Sequence, residues 1–467
     1  MSTITLPDVT DDNRAAQAAV RAVADAVPGT FLPGTADYAR LTGTFNLARP
    51  VTPLAVVEAH DAGDVATTLR LAAAFGVRVG VQSTGHGVGE SMAGTILVST
   101  AALTELELHA DERWVRVGAG VRWDAVLAAA APHGLAGLCG SSPDVGVVGF
   151  LTGGGLGPLA RTHGLSADTV RTFDVVTGDG EIRRASATEN PELFWGLRGG
   201  KGTLGIVTAV ELDLVEQATF YGGQVWFDLA DAAAVLRTWA VWCALLPEAG
   251  TTSVAVLRLP DLPLVPEPLR GRAAVCVRFA WTGDPDEGEE LLAAVRSVAT
   301  PFLDTVQVLP YAALGAVHTD PPEPMPVHED HALLGSFDLE AADRVVELVG
   351  PQARTAQLMV EIRQLGGAVR SERRGPTAFA HRGAAFSVFT VGVQIPETAE
   401  VVGPDARRVL EGLAPWTIAG GLPNFTPGAG REWADRVFTP GGARRLRELS
   451  LRYDPDGTLL VARGVRA

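Results

Sequence analysis

Cysteine is scarce: three residues, Cys139, Cys243 and Cys276, in a chain of 467. None forms a Cys-x-x-Cys pair and the count is odd, which argues against a disulfide framework and a zinc ribbon. Positive charge is also short, with 38 Lys+Arg against 54 Asp+Glu and a net charge of -16. Nucleic acid and anionic membrane both want a basic patch, so neither is an expected partner. The acidity reads as a solubilising surface and says little about a substrate. No apolar run reaches the roughly 18 residues of a membrane-spanning helix. The start, MSTITLPDVTDDNR, has no basic patch leading an apolar run and does not read as a signal peptide. The expectation is a soluble, cytoplasmic protein. Oligomeric state is left open.

Several chemistries lack their motif. There is no HExxH and no GxSxG, so neither a zinc protease nor an α/β-hydrolase is expected. His328 and His331 lie three apart in HTDPPEPMPVHEDH (318–331), but a proline-rich polar loop explains them better than a metal. No metal is expected. Tyrosine is limited to four residues, Tyr38, Tyr221, Tyr311 and Tyr453, which narrows the choice of a phenol base.

Glycine is abundant, at 53 residues, and it clusters. Clusters of this kind mark tight turns or backbone brought close to a ligand. The length exceeds one ordinary core, so two domains are expected, one of them discontinuous in sequence. From 51 to 81, VTPLAVVEAH reads as a strand, VATTLRLAAAFG as a helix capped by Asp64 and ended by Gly76, and VRVGV as a second strand. VRTFDVVT, a GDG turn and EIRRA read as a hairpin. After about Val215 the glycine density falls. Helices such as AAAVLRTWAVWCALL then alternate with strands such as TTSVAVLRL and RAAVCVRFAWTG. That pattern fits a mostly antiparallel sheet with helices on one side.

Two stretches carry candidate chemistry. GLCGSSPDVGVVGFLTGGGLG, 137–157, holds eight glycines whose bare N–H groups suit close approach to a phosphate. VQSTGHGVGE, 81–90, presents His86 between Gly85 and Gly87 directly after a strand. Imidazole is a competent nucleophile and base near neutral pH, yet a histidine in a turn is as often incidental. A formal GxGxxG at Gly200, Gly202 and Gly205 has a helix before it and a strand after it, the reverse of the dinucleotide fingerprint. Lys201 is followed by Gly202 and not Ser or Thr, so a P-loop fails too.

These pieces, in order, resemble the FAD-linked oxidase family of the vanillyl-alcohol-oxidase or berberine-bridge-enzyme type. The stretches are ADYARLTGTFN, VRVGVQSTGHGVG, PDVGVVGFLTGGGLGPLARTHGLSADTV, VVTGDGEI, NPELFWGLRGGKGTLGIVTAVEL and LRYDPDG. The resemblance implies an α+β fold. A two-part FAD-binding domain would span 1–215, a separate antiparallel-sheet substrate domain 216–415, and a return to the FAD domain 416–467. It implies FAD contacts from Gln82, Ser83, Thr84, Gly85, His86, Gly87, Ser142, Val145, Gly146, Gly149, Gly153 and Gly154, and from backbone near Gly205 and Val207. His86 falls on the family's flavin-attachment histidine, implying an 8α-histidyl link. The second, cysteinyl attachment position reads Ser142, so one covalent link is expected and not two.

The chain also departs from the family. Gln82 replaces an arginine and Thr84 a glycine of the turn. Leu422 stands where some members carry the tyrosine of Tyr-x-Asn, leaving Asn424. The final family asparagines fall at Ala462 and Gly464. The implied activity is hydride removal from a CH-OH or CH-NH carbon of a small molecule, a natural-product intermediate, with O2 as acceptor. Alcohol oxidation needs a base, and Tyr221, Tyr311 and Asn424 are the catalytic candidates. The alternatives are a dehydrogenase of the same fold using another acceptor and a degenerate, non-catalytic FAD-fold protein.

Overall fold

Asp61, one turn earlier than expected, caps the helix Ala62–Ala74. Its carboxylate accepts the Asp64 N–H at 2.9 Å, and Asp64 reaches back to accept the His60 N–H at 2.9 Å. Two aspartates three apart can each serve as cap. The first does so here because the second then satisfies the N–H just before it, in the manner of a capping box. The helix, Ala62–Ala74, ends at Phe75, and Gly76 turns the chain out with φ +69°. The computed structural model describes residues 11–87, 89–372 and 375–466. The first ten residues of the polar start lie outside these.

Three larger sheets, beside a two-stranded pairing of Val215–Glu216 with Leu135–Ala136, organise the described residues. In the first, Ala55–Glu58 and Arg78–Gln82 both run parallel to Thr95–Ser99 between them. Thr95–Ser99 is buried throughout, which is why TILVS reads as an apolar run without alternation. Strand Arg78–Gln82 ends at the His86 turn, so that turn sits at the carboxyl end of a parallel strand, where α/β sheets place ligands. The second sheet is five-stranded and antiparallel, with Gly205–Asp213 at its centre between Trp114–Gly118 and Val170–Thr177. The expected hairpin Val170–Thr177 to Ile182–Ser186 turns at Gly180, φ +77°.

The third sheet is nine-stranded and antiparallel. Helices Ala232–Leu245 and Leu339–Val349 pack on one face over Val225, Val254, Val277, Ile362 and Val388. The segment 318–331 is not wholly a loop. Val327–Leu334 is a strand paired with Phe386–Val393. Its first residues are polar because the strand runs through a polar interior, and polarity masked its twofold period. His328 and His331 project to opposite sides of that strand, so they share no metal. Among the described residues no cluster of three or more His, Cys, Asp or Glu could hold one.

The tail returns to the first sheet. Val79 N–H donates to Thr458 O at 2.7 Å and Leu460 N–H to Val79 O at 2.9 Å. Asp454 of LRYDPDG is buried and accepts the N–H groups of Thr458 and Leu459 at 2.7 and 3.2 Å, which fixes this turn. The result is a mixed α+β architecture with two small sheets on one side and a separate antiparallel sheet on the other.

Candidate cofactor site

The turn after Arg78–Gln82 is held from both sides. Gln82 is buried and its amide donates to Leu41 O at 3.2 Å and Gly43 O at 2.7 Å. Its side chain therefore fastens the N-terminal segment, and only its backbone lies at the turn. Ser83 Oγ donates to Ala119 O at 2.9 Å, tying the first sheet to the second. Gly85 has φ +76°, and a Cβ there would stand 2.6 Å from Gly43 O, so only glycine fits. The bend presents His86. Its ring stacks on Phe45 with centroids 4.2 Å apart. Nδ1 lies 3.0 Å from Thr84 Oγ1, and the buried Nε2 lies 3.3 Å from Asp144 Oδ2 without hydrogen-bond alignment. Thr84, a departure from the family turn, thus orients the ring.

The glycine loop arrives opposite. Ser142 Oγ donates to Asp144 Oδ1 at 2.6 Å, and Val145 O accepts the Trp123 N–H at 3.1 Å. The His86 imidazole holds the Asp144 carboxyl down to about 2, with the Ser142 hydroxyl and Arg122 assisting against its partial burial. A Cβ on Gly146 would lie 3.4 Å from both Ser83 Oγ and Thr84 Cγ2, so turn and loop meet there. Gly149 faces open space, with nothing within 4 Å of a Cβ. Gly153 abuts Asn424, and Gly154, φ +97°, abuts Phe379. Gly205 and Val207 lie in the central strand of the second sheet. The Val207 side chain points into the core, so these two offer backbone alone. A cleft of about 400 Å3 opens between Ser83–Thr84 and Gly120–Ala125, with Arg122 and Asp124 on its wall.

Lys201 belongs to the same place and was not singled out as a site residue from sequence. It adopts φ +56°, and its N–H donates to Thr152 O at 2.9 Å. Its ammonium donates to Asn424 Oδ1 at 2.5 Å and to Gly149 O at 3.5 Å. Asn424 Nδ2 in turn donates to Phe150 O at 2.9 Å. Lys201 and Asn424 are therefore tied to the glycine loop at Gly149, Phe150 and Thr152. A lysine inside the glycine run GGKG was the available signal. Burial of its ammonium lowers Lys201 to about 8. Between pH 8 and 10.5 the unfolded lysine stays protonated while the folded one sheds its proton. Stability of the cofactor-free protein should therefore rise across that window, and Lys201→Met should flatten the rise in denaturant titrations at pH 8 and 10.

Neither candidate tyrosine joins the cluster. Tyr221 lies on the helix-covered face of the third sheet, and its hydroxyl donates to Glu289 Oε2 at 2.6 Å. Tyr311 is buried in the core beside the second sheet and donates to Gly137 O at 2.8 Å. Strand parity directs the first away, and core packing holds the second. Tyr38 donates to Pro53 O at 2.7 Å, and Tyr453 is buried beneath Arg183 and Arg452. All four phenols are accounted for elsewhere.

The residues present fit FAD. Gly149 leaves open space beside the seam where turn and loop meet at Gly146, and His86 is presented by that turn. The model of the FAD binding domain family matches residues 53–186, which contain both the His86 turn and the glycine loop. The crystal structure of 6-hydroxy-D-nicotine oxidase from Arthrobacter nicotinovorans superimposes with a TM-score of 0.81 over 94% of this chain and 97% of that one, at 23% identity. Residues 53–186 form a FAD binding domain, and the chain shares the fold of that oxidase. Among curated relatives of this flavoprotein, (R)-6-hydroxynicotine oxidase of Paenarthrobacter nicotinovorans is 27% identical over 432 residues, covering 86% of this chain and 89% of that one. A FAD-dependent monooxygenase of Cochliobolus heterostrophus is 35% identical over 190 residues, covering 40% of this chain and 37% of its own. The chain spans about a third of the length of the fungal monooxygenases it matches. No helix among the described residues of the flavoprotein is long and apolar enough to cross a membrane.

Proposed function

We propose that this protein is a covalent FAD oxidase that removes hydride from a CH-NH or CH-OH carbon of a small molecule, with O2 as acceptor. The carrying observation is His86, bent into the glycine cradle with both ring nitrogens addressed, by Thr84 and by Asp144. Bound FAD would supply the hydride acceptor and the route for electrons to O2. The chain supplies the rest. His86 would hold the flavin as its single tether, through a ring nitrogen. Ser142, hydrogen-bonded to Asp144, occupies the second attachment position and forms no thioether. Lys201 places a positive charge at the seam of the two loops, and Asn424 holds it there. This makes Asn424 a positioning residue.

Amine oxidation is the favoured half of the reading, because no tyrosine hydroxyl reaches the cluster. A neutral amine yields hydride with help from its own lone pair, whereas an alcohol needs a base for its proton. The nicotine-derivative oxidase named above is compatible with that half. The oxidase assignment is tested without knowing the substrate. Protein reduced with dithionite under nitrogen and mixed with air-saturated buffer should regain its oxidised absorbance and release peroxide. Reoxidation by an artificial quinone but not by O2 would make it a dehydrogenase. Purified protein without flavin would remove the proposal altogether.

A further inference from the structure

The third sheet has a second face, and it is polar where it should be wet or apolar. Arg278 and Arg363 both stand opposite Ser253 on flanking strands, so the three share one row. Glu361 follows two residues from Arg363 on the same face. This row is not exposed: Arg278 is 4%, Ser253 2%, Glu361 3% and Arg363 6% accessible. Against it lies His318, 7% accessible, and Pro158 from the end of the glycine loop.

The cluster holds two guanidiniums and one carboxylate. Glu361 Oε1 accepts from Arg278 Nη1 at 2.7 Å and from Ser253 Oγ at 2.7 Å, and Oε2 accepts from Arg363 Nη2 at 3.1 Å. The other carboxylate acting on Arg278, Asp320, lies on an exposed loop. Burial and the neighbouring guanidinium of Arg363 keep His318 neutral. Its Nε2 lies 3.0 Å from Arg363 Nη2 and 3.3 Å from Glu361 Oε1. The atoms left over are almost all donors. Arg363 Nε and Nη1, Arg278 Nε, His318 Nδ1 and the Thr251 hydroxyl are buried without a hydrogen-bond partner. All four residues line one small space, about 220 Å3 counted out to its opening, whose inner part takes a single water-sized group.

Buried polar groups are ordinarily satisfied, and a buried net charge ordinarily has a counter-ion. A pocket lined by unpaired donors and excess positive charge calls for an anionic acceptor. Its place is set by Arg363, whose guanidinium carbon lies 5.4 Å from the ring of Phe425, next to Asn424 of the cofactor site. We propose that Arg363, with Arg278, His318 and Thr251, binds a carboxylate carried by the molecule to be oxidised. This rests on reading the neighbouring site as a FAD oxidoreductase. The substrate class narrows to a small amine or alcohol bearing a carboxylate, with one carboxylate oxygen entering the inner space.

Calorimetric titration of the flavin-loaded protein with benzoate and with benzamide tests this. The two probes share a shape and differ in charge. Benzoate should bind at least about tenfold tighter than benzamide. Arg363→Met should remove that preference, and Thr251→Val should weaken benzoate about threefold with flavin content unchanged. The valine change touches no ion pair, so it answers even if the methionine variant does not fold. No benzoate heat, equal binding of the two probes, or unchanged binding in both variants would overturn the proposal. Calorimetry reads the pocket whether or not the flavin turns over. A protein that binds benzoate through Arg363 but is not reoxidised by O2 keeps this site and loses the oxidase reading.

Discussion

Gly153→Ala should leave a folded protein that no longer retains FAD. A Cβ at this position would stand 1.9 Å from Asn424 Oδ1 and 2.5 Å from its Cγ. Asn424 cannot step aside freely, because its amide is fixed at both ends, by Lys201 Nζ and by Phe150 O. Overpacking costs about 1–3 kcal/mol, and breaking the two hydrogen bonds costs on the order of 1 kcal/mol each. The damage falls on the seam between the glycine loop and Lys201, so cofactor retention should suffer before the fold does. Gly149→Ala is the matched control. A Cβ there meets nothing in the protein, and helical Gly→Ala substitution is stabilising by up to about 1 kcal/mol. It should raise or preserve the stability of the cofactor-free protein and still lower its FAD content, because the added methyl points into the proposed FAD space. Absorbance ratios at 450 and 280 nm, about zero for Gly153→Ala and reduced for Gly149→Ala, would check both. Full flavin retention by Gly153→Ala would mean that the Asn424–Lys201 link does not shape the site.

Arg382→Met should cost about 3–5 kcal/mol of stability. Arg382 donates to both oxygens of Asp168, at 3.0 and 2.6 Å, and also to Val369 O, Ser371 O and Thr377 Oγ1. Both partners are buried, at 8% and 7% accessible, so removing the guanidinium strands a carboxylate in the interior. The pair joins the segment after the glycine loop to the chain between strands Met359–Gln364 and Phe386–Val393, so its loss should also loosen the two halves of the molecule. A fall in melting temperature of about 5 °C or more is expected. The double variant Asp168→Leu/Arg382→Met should recover part of it, since the stranded charge then disappears. A double variant no better than the single one would assign the cost to lost packing.

Much of this arrangement was legible in the chain, and the exceptions have physical causes. His86 was readable because glycines flank it and a strand precedes it, so the bend that presents it is local. The glycine loop was readable for the same reason. Asp61 displaced Asp64 as the cap because two equivalent caps lay three residues apart. Lys201 stayed hidden because its partners, Asn424 and Gly149, are remote in sequence and meet it only after folding. The tyrosines misled because composition says how many phenols exist and not which face of a strand each takes. Tyr221 shares the parity of Val225 and Phe227, which pack under helices. The row Glu361–Arg363 was not singled out from sequence. Polar residues at every second position read as a solvent face, and only the packing of the glycine loop and the His318 segment against them makes that face an interior.

The tether at His86 is the claim on which the cofactor account depends most directly. Purified protein, denatured in acid and digested, should keep its flavin on one peptide, and mass spectrometry should place the added mass on His86, with the Ser142 peptide unmodified. FAD released quantitatively into the acid supernatant, with the His86 peptide at its bare mass, would contradict it.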